Sequence, residues 1–428
     1  LVTFIEISST DFKSLEKTFG LCRSSFPSEV ETSVKKIIED VRMRGDEAIV
    51  EYTFRFDQVN LDKSKIQVEE GAIEKALNSL SDEESQALDV MIERVKRFHR
   101  NEVEKTWFFC DEIGSLLGQI VKPIQRVGIY VPGGKAPYPS TLVMNSVPAI
   151  VAGVKEIAVC VPPEKDGEIN RFILAACAKV GIREVYRVGG AQAIAALAFG
   201  TETIKPVNLI AGPGNIYVTV AKKILYGEVG IDTLAGPSEV VVLADETADS
   251  LLVASDLLSQ AEHGEDSKAF LITSSKKLAE KVKEDLEKLV QKLKMDNNVL
   301  SQILIALVPK GKEVEVVDFL APEHLEILAE EPLSYLEEVN NAGAIFIGES
   351  SPVSAGDYIA GPSHTLPTGR AARFSSPLSV TTFLKKNSVI FLSSDGIKSL
   401  SSYIEKLAQI EGFKAHAYSA KLRRGKES

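Results

Sequence analysis

Histidine is scarce in this chain, with five residues among 428. Cysteine is scarcer still: Cys22, Cys110, Cys160 and Cys177, in no CxxC spacing and beside no histidine motif. That excludes a disulfide framework and fits a reducing, cytoplasmic setting. Cys160 and Cys177 lie in apolar runs and read as small buried hydrophobes. A basic surplus is missing too. Lys and Arg total 49 against 60 Asp and Glu, a net charge of −11. This argues against nucleic acid or an anionic membrane as a partner, since both need a basic footprint. It leaves room for an anionic cofactor, which backbone N–H groups at a helix N-terminus can hold. No apolar run is long enough to span a bilayer, and the first residues lack the basic start and apolar stretch of a signal peptide. What is present is an ordinary globular composition, 44% apolar and 25% charged. The length exceeds what one core supports, so two or more domains are expected.

The first third reads as helical. Val30, Val34, Ile37, Ile38 and Val41 recur at helical spacing and stop before Gly45, and a second stripe runs through Leu88, Met91, Ile92, Val95 and Phe98. His99 sits at the edge of that stripe and reads as a packed histidine with no chemistry. From about residue 120 short apolar strands alternate with glycine turns and helices. Strands are expected at 126–131, 156–161, 184–188, 207–211, 239–244, 268–273 and 343–348. Helices are expected at 170–180, 191–199, 216–225 and 278–293, and a last one carries Ile397, Leu400, Ile404 and Leu407. Such units build parallel sheets covered on both faces, with ligands beyond the carboxyl ends of the strands. The α/β texture falls in two stretches, 121–238 and 239–380, and the helical N-terminal part is expected to pack with the second.

The other four histidines stand in short clusters with acids, amides and glycines. Gln260 and His263 are three apart near the end of an expected helix, hence one turn apart on one face. They suit either a pair of metal ligands or a solvated helix surface. Asp357 adds a carboxylate on a glycine turn and His416 a second imidazole; two nitrogens and two oxygens suit Zn2+, with Mn2+ and Co2+ as substitutes. The adjacent Glu323 and His324 suit two separate proton-transfer groups, or a solvated helix start after Pro322. The glycine turns at 133–134, 189–190 and 212–214 suit phosphates or a dinucleotide backbone, yet none is a GxGxxG. Asp232, twenty residues after Gly212, is a weak sign of a ribose contact. A zinc hydrolase with Glu323 as base is the rival chemistry.

Taken in order, the segments around Val127–Gly134, Gly190-Ala-Gln192, Ala211–Asn215, Gly236-Pro-Ser238-Glu, Asp256–His263, Pro322-Glu323-His324 and Gly356-Asp357 to His364 resemble those of the histidinol dehydrogenase family. The resemblance implies two Rossmann-like α/β/α domains, aldehyde-dehydrogenase-like with an incomplete dinucleotide fold, plus a helical N-terminal part and a C-terminal tail exchanged in a homodimer. On that pattern the chain divides into an arm (1–27), a first α/β domain with the metal-site residues (28–120 plus 239–380), a second, NAD-binding domain (121–238) and a tail (381–428). It implies oxidation of L-histidinol through bound L-histidinaldehyde to L-histidine, with two NAD+ and one Zn2+ per subunit. The metal ligands it implies are Gln260, His263, Asp357 and His416, the last from the partner subunit. Glu323 and His324 match the catalytic pair. The substrate contacts are Ser238, His364 and Glu411 together with His324 and the metal ligands, and the NAD contacts are Tyr130, Gln192 and Asn215.

Overall fold

The computed structural model describes residues 2–7, 12–19, 26–133, 136–264 and 266–424. Cys22, Gly134 and their proposed surroundings lie outside them. Among the described residues three sheets are present.

The first has five strands, all parallel: Arg126–Tyr130, Glu156–Val161, Glu184–Arg187, Leu209–Ala211 and Gly230–Ile231. In space they run third, second, first, fourth, fifth. That is the doubly wound order, whose direction reverses between the first and fourth strands and opens a crevice at their carboxyl ends. The second sheet has six parallel strands. Its members Glu239–Ala244, Lys268–Thr273, Ile303–Leu307, His324–Leu328 and Ala344–Ile347 repeat the same order. Thr3–Glu6 pairs with Ile303–Leu307 at the outer edge. The N-terminal arm is thus the sixth strand of this sheet. The third sheet is antiparallel, with Leu116–Pro123 between Trp107–Cys110 and Leu384–Phe391.

Every strand expected between 126 and 244 forms, because each is a short β-branched or apolar run closed by glycine or proline. The strands at Ile303–Leu307 and His324–Leu328 were not legible: the second begins with the Glu323-His324 pair that suggested a helix start. No helix among the described residues is long and apolar enough to cross a membrane.

The grouping of 28–120 with 239–380 is corrected by the packing. Helix Ser28–Arg44 buries Val34, Ile37, Ile38 and Val41 in one core with Tyr130, Cys160, Ile194 and Leu197, on a face of the five-stranded sheet. Helix Asp82–His99 buries Leu88, Met91 and Val95 in the core of the other face. Each such aliphatic side chain contributes about 1.5–3 kcal/mol on burial, so these stripes hold the helices on the five-stranded sheet. Amphipathicity shows that a helix has a partner but not which one. The link to the second sheet is narrower: the Arg94 guanidinium donates to the carbonyls of Ile359 and Ala360. His99 is fully buried with Nδ1 2.7 Å from Glu102 Oε2, a packed histidine as expected.

Asp232 proves to be a strut. Its Oδ2 accepts from the Gly212 N–H at 2.7 Å, and its Oδ1 pairs with the Lys222 ammonium, both side chains 2% exposed. Gly212 is required there, since its φ is +114° and a Cβ would stand 2.1 Å from the Tyr130 carbonyl oxygen. Removing one partner of a buried pair strands the other charge. Lys222→Met is therefore expected to cost about 3–5 kcal/mol in urea denaturation. Adding Asp232→Asn, which can still accept from Gly212, should recover part of the loss.

Candidate active site

The centre of the site is the amino-terminal edge of the six-stranded sheet. Helix Glu313–Leu320 ends at Ala321, which takes a left-handed conformation with φ +46°, and Pro322 prevents the helix from resuming. Glu323 follows, and His324 opens a strand lying between Glu239–Ala244 and Ala344–Ile347. Gly343 lets this edge close, since a Cβ there would meet the Glu323 carbonyl oxygen at 2.5 Å. Glu323 and His324 are consequently 5% and 4% exposed. Neither is a solvated helix start.

The main chain of Glu239 holds both side chains. Its N–H donates to Glu323 Oε2 at 2.9 Å, and its carbonyl lies 3.1 Å from His324 Nδ1. A carbonyl can only accept, so Nδ1 carries the hydrogen. Burial lowers the His324 pKa, outweighing the opposing pull of Asp357. The neutral ring therefore has its lone pair on Nε2, which faces Asp357 Oδ1 at 4.0 Å. This is the form of imidazole that takes a proton. Burial pushes the Glu323 carboxyl well above the ordinary carboxylate range; the Glu239 N–H and the Ser238 hydroxyl bonded to it oppose this, while the charges of Glu239 and Asp357 add to it.

His364 belongs to the same cluster. Its Nδ1 lies 3.1 Å from the Asp357 carbonyl, and its Nε2 is 3.3 Å from Thr141 Oγ1 on helix Pro139–Ala152. Burial again lowers its pKa, with Asp357 pulling the other way. His263 lies close enough to oppose protonation of both His324 and His364.

Helix Ser250–Ala261 brings Gln260 to the cluster, with His263 just beyond its end. Gln260 Nε2 is 3.5 Å from His263 Nδ1, and Gln260 Oε1 is buried with no hydrogen-bond partner. An orphaned buried oxygen costs about 1–3 kcal/mol, so this donor fits a cation that would satisfy it. Asp357 lies on the short helix Val353–Tyr358, where Gly356 closes against the Phe346 ring. Among the described residues no group of three or more His, Cys, Asp and Glu side chains is placed to hold a metal. This chain's own donors are Gln260, His263 and Asp357. The expected Glu411 and His416 lie in the exposed hairpin of Ser394–Ile410 and Lys414–Arg424, the His416 ring edge-on to Phe413 at 5.1 Å. Among the described residues no hydrogen bond or ion pair joins them to the other ligands in the single chain.

The three residues expected at a dinucleotide come together elsewhere. Tyr130, Gln192 and Asn215 all line a cavity of about 800 Å3 at the carboxyl ends of the five-stranded sheet. Asn215 caps helix Ile216–Leu225, accepting from Tyr217 N at 3.0 Å and Val218 N at 3.2 Å. The Tyr130 hydroxyl accepts from Gly190 N at 3.1 Å, and Gln192 Oε1 is buried without a partner. Glu323 and His324 are not in this lining. The bridge between the two places is the segment after Pro137, which borders the cavity and leads to Thr141 at His364.

Sequence reasoning missed Glu239, although it follows Ser238 in a motif segment, because its contribution is main-chain. It also missed Asp256 and Glu326. These carboxyls are hydrogen-bonded to each other between the helix carrying Gln260 and the strand carrying His324. Burial, then Asp256, pushes the Glu326 pKa up to about 9.

The histidinol dehydrogenase family model matches residues 23–424. The chain belongs to the histidinol dehydrogenase family. A histidinol dehydrogenase of Geobacter sulfurreducens is 46% identical over 426 residues, 98% of this chain and 99% of that protein. One of Thermotoga maritima is 44% identical over 406 residues, covering 93% and 94%. The crystal structure of histidinol dehydrogenase from Elizabethkingia anophelis superposes with a TM-score of 0.92 at 36% identity, covering 99% of this chain and 98% of that one. Membership makes the chain a dehydrogenase of histidine biosynthesis and sets the zinc hydrolase aside.

The His324 geometry fixes a sign. Its folded pKa lies below the unfolded value of about 6.5. Its contribution to stability is thus fully present above that value and lost as pH falls through the folded pKa. In urea denaturation between about pH 7.5 and 5, His324→Asn should show a shallower acid loss of stability than the parent chain. An equally steep limb would contradict a buried neutral imidazole.

Proposed function

We propose that the chain oxidises L-histidinol to L-histidine in two successive hydride transfers from one carbon, with L-histidinaldehyde held between them. The observation that carries this is the grip of Glu239 on the adjacent pair, which leaves His324 Nε2 as an open base beside Glu323. In the first oxidation His324 Nε2 takes the hydroxyl proton as the carbon loses hydride. An aldehyde has no second hydride to give until water adds. Glu323, as its carboxylate, takes a proton from that water as its oxygen bonds to the carbon, while His324 returns its proton to the carbonyl oxygen; the resulting diol then loses its second hydride with proton removal at the regenerated His324. A carboxyl raised by burial suits a group that must accept and return a proton near neutral pH. Ser238 and His364 border the pair and would orient the substrate. A thioester-type route would need a thiol at the pair, and none of the described cysteines lies there: Cys160 and Cys177 are buried in the sheet cores, which pushes both thiols up, and Cys110 ends the exposed strand Trp107–Cys110.

Bound at the cavity of Tyr130, Gln192 and Asn215, NAD+ would supply the hydride acceptor. Bound by Gln260, His263, Asp357 and His416 of the partner subunit, one Zn2+ per site would supply a cationic anchor for the substrate's ring and amine. Gln260 and Asp357 would offer it the oxygens, and Gln260 would lose its orphaned state. A homodimer with shared active sites accounts for His416 and Glu411 lying apart from the other ligands. Support comes from the apolar side chains that one chain leaves exposed on the antiparallel sheet and the terminal hairpin. Ile390 is 72% exposed and Phe391 64%, with Trp107, Phe109, Leu407 and Phe413 around half exposed or more. The domains we infer are the NAD-binding unit 121–238, now with the N-terminal helices packed on it, the unit 239–380 with its edge strand, and the tail 381–428. The acidic charge and the absence of a basic footprint support neither nucleic acid nor membrane as partner, and the cytoplasm is the proposed setting.

Single-turnover assays separate the two acid–base roles. His324→Asn should depress both oxidations by about 10²–10⁴, whereas Glu323→Gln should slow oxidation of supplied L-histidinaldehyde far more than that of L-histidinol. Equal effects of Glu323→Gln on the two steps would remove its role in hydration.

A second assay addresses the shared site. Inactive His416→Ala and Gln260→Ala proteins, unfolded together and refolded, should regain part of the parent activity through hybrids that contain one intact site. No recovery, with dimers present in the mixture, would overturn the exchange.

A further inference from the structure

A doubly wound sheet that holds a dinucleotide commonly places an acidic side chain beyond its second strand to accept from the ribose hydroxyls. Asp232 cannot serve, being consumed by Lys222 and Gly212. The five-stranded sheet has another acid where the topology asks for one. Its second strand, Glu156–Val161, lies beside the first, and the chain leaves it through Pro162 and Pro163 to Glu164, which lines the 800 Å3 cavity together with Tyr130 and Asn215.

The position of Glu164 is set from several sides. Pro162 is wedged between two loops: a Cβ on Gly133 or on Gly189 would stand 2.5 Å from its ring. The Glu164 backbone is closed into a turn, with its N–H on the Glu168 carbonyl and its carbonyl accepting from Gly167, each at 2.8 Å. Glu164 Oε1 accepts from Asn170 Nδ2 at 2.9 Å, while Asn170 Oδ1 caps the next helix through Phe172 N at 3.0 Å. One carboxylate oxygen is thus pinned. Among the described residues the other, Oε2, has no hydrogen-bond partner, and Glu164 forms no ion pair. The cavity's other carboxylate, Asp57, also has an orphaned oxygen, but burial pushes its pKa up to about 6, which disfavours the anionic form that accepts best.

We propose that Glu164 accepts from the ribose hydroxyls on the adenosine side of the cofactor and thereby selects NAD+ over NADP+. A carboxylate held by Asn170 takes a diol without reorganising, whereas a 2′-phosphate would set two like charges against it. Arg55 and Lys165, which line the same cavity, supply positive charge for the pyrophosphate. The assignment rests on the NAD reading above and adds a specificity residue to it.

Isothermal titration of the full-length protein with NAD+, NADP+ and the 2′-deoxyadenosine analogue of NAD+ tests it without turnover. The parent chain should bind NAD+ about tenfold or more tighter than either of the others, because a site built to bond a hydroxyl rejects ligands lacking it. Glu164→Ala should weaken NAD+ by about tenfold and bring the three affinities together. Asn170→Ser, which keeps a helix cap but frees the carboxylate, should give a smaller loss in the same direction. If Glu164→Ala unfolds with the parent's midpoint and keeps the parent's NAD+ to NADP+ ratio, the inference fails and the NAD site stands. If the parent chain binds none of the three, the NAD reading itself fails.

Discussion

One residue's main chain holds the proposed catalytic pair together. The Glu239 N–H binds Glu323 and its carbonyl takes the Nδ1 hydrogen of His324, so two neighbouring side chains with different duties are indexed to one point on the adjacent strand. That point is itself fixed by the parallel ladder, in which His324 stands opposite Val240 and Leu325 opposite Val241. A one-residue slip would turn His324 to the other face of the sheet. The tautomer of the base, the placement of the carboxyl and the approach of Asp357 all follow from that register. Gly343, Ala321 and Pro322 serve it by letting the incoming and neighbouring chains lie close.

The two parallel sheets share a strand order but use opposite ends. In the five-stranded sheet the cavity lies at the carboxyl ends, where the reversal of winding opens a crevice. In the six-stranded sheet the proposed catalytic pair, Glu323 and His324, sits at the amino ends, at the start of a strand. Helix Pro139–Ala152 and the segment before it join the two, through Thr141 to His364, Asn145 to Thr365 and the cavity border at Pro137. Such polar contacts give orientation rather than bulk stability. The stability comes from the four apolar cores flanking the sheets.

What could be seen in the sequence followed from local pattern. The strands from Arg126 to Ala244 and the helices between them were legible because β-branched runs, glycine turns and helical stripes are local. Tyr130, Gln192 and Asn215 fall on one cavity, and Glu323, His324, His364 and Asp357 on one cluster. The partner of the N-terminal helices was not legible, because the stripe Val34–Val41 reads the same whichever sheet it covers. The role of Asp232 was misjudged on spacing, since only the fold reveals Lys222 one helix away. Glu239 was invisible for a different reason: a backbone contribution leaves no mark on the choice of side chain.

The burial that shapes this site acts in opposite directions on its two proton carriers. Desolvation disfavours whichever form is charged, so one environment lowers the imidazole pKa of His324 and raises the carboxyl pKa of Glu323. The result is a neutral base beside a carboxyl reluctant to ionise, a pair spread less by specific partners than by their shared dryness. Asp357 is the group that opposes this for the histidines and reinforces it for the glutamate. Loss of the charge at Asp357 would therefore lower both pKa values, moving Glu323 toward its ordinary range and His324 further from it. The acid–base pair is in this sense one device with one control point, and Glu239 anchors its two halves at one point on the neighbouring strand.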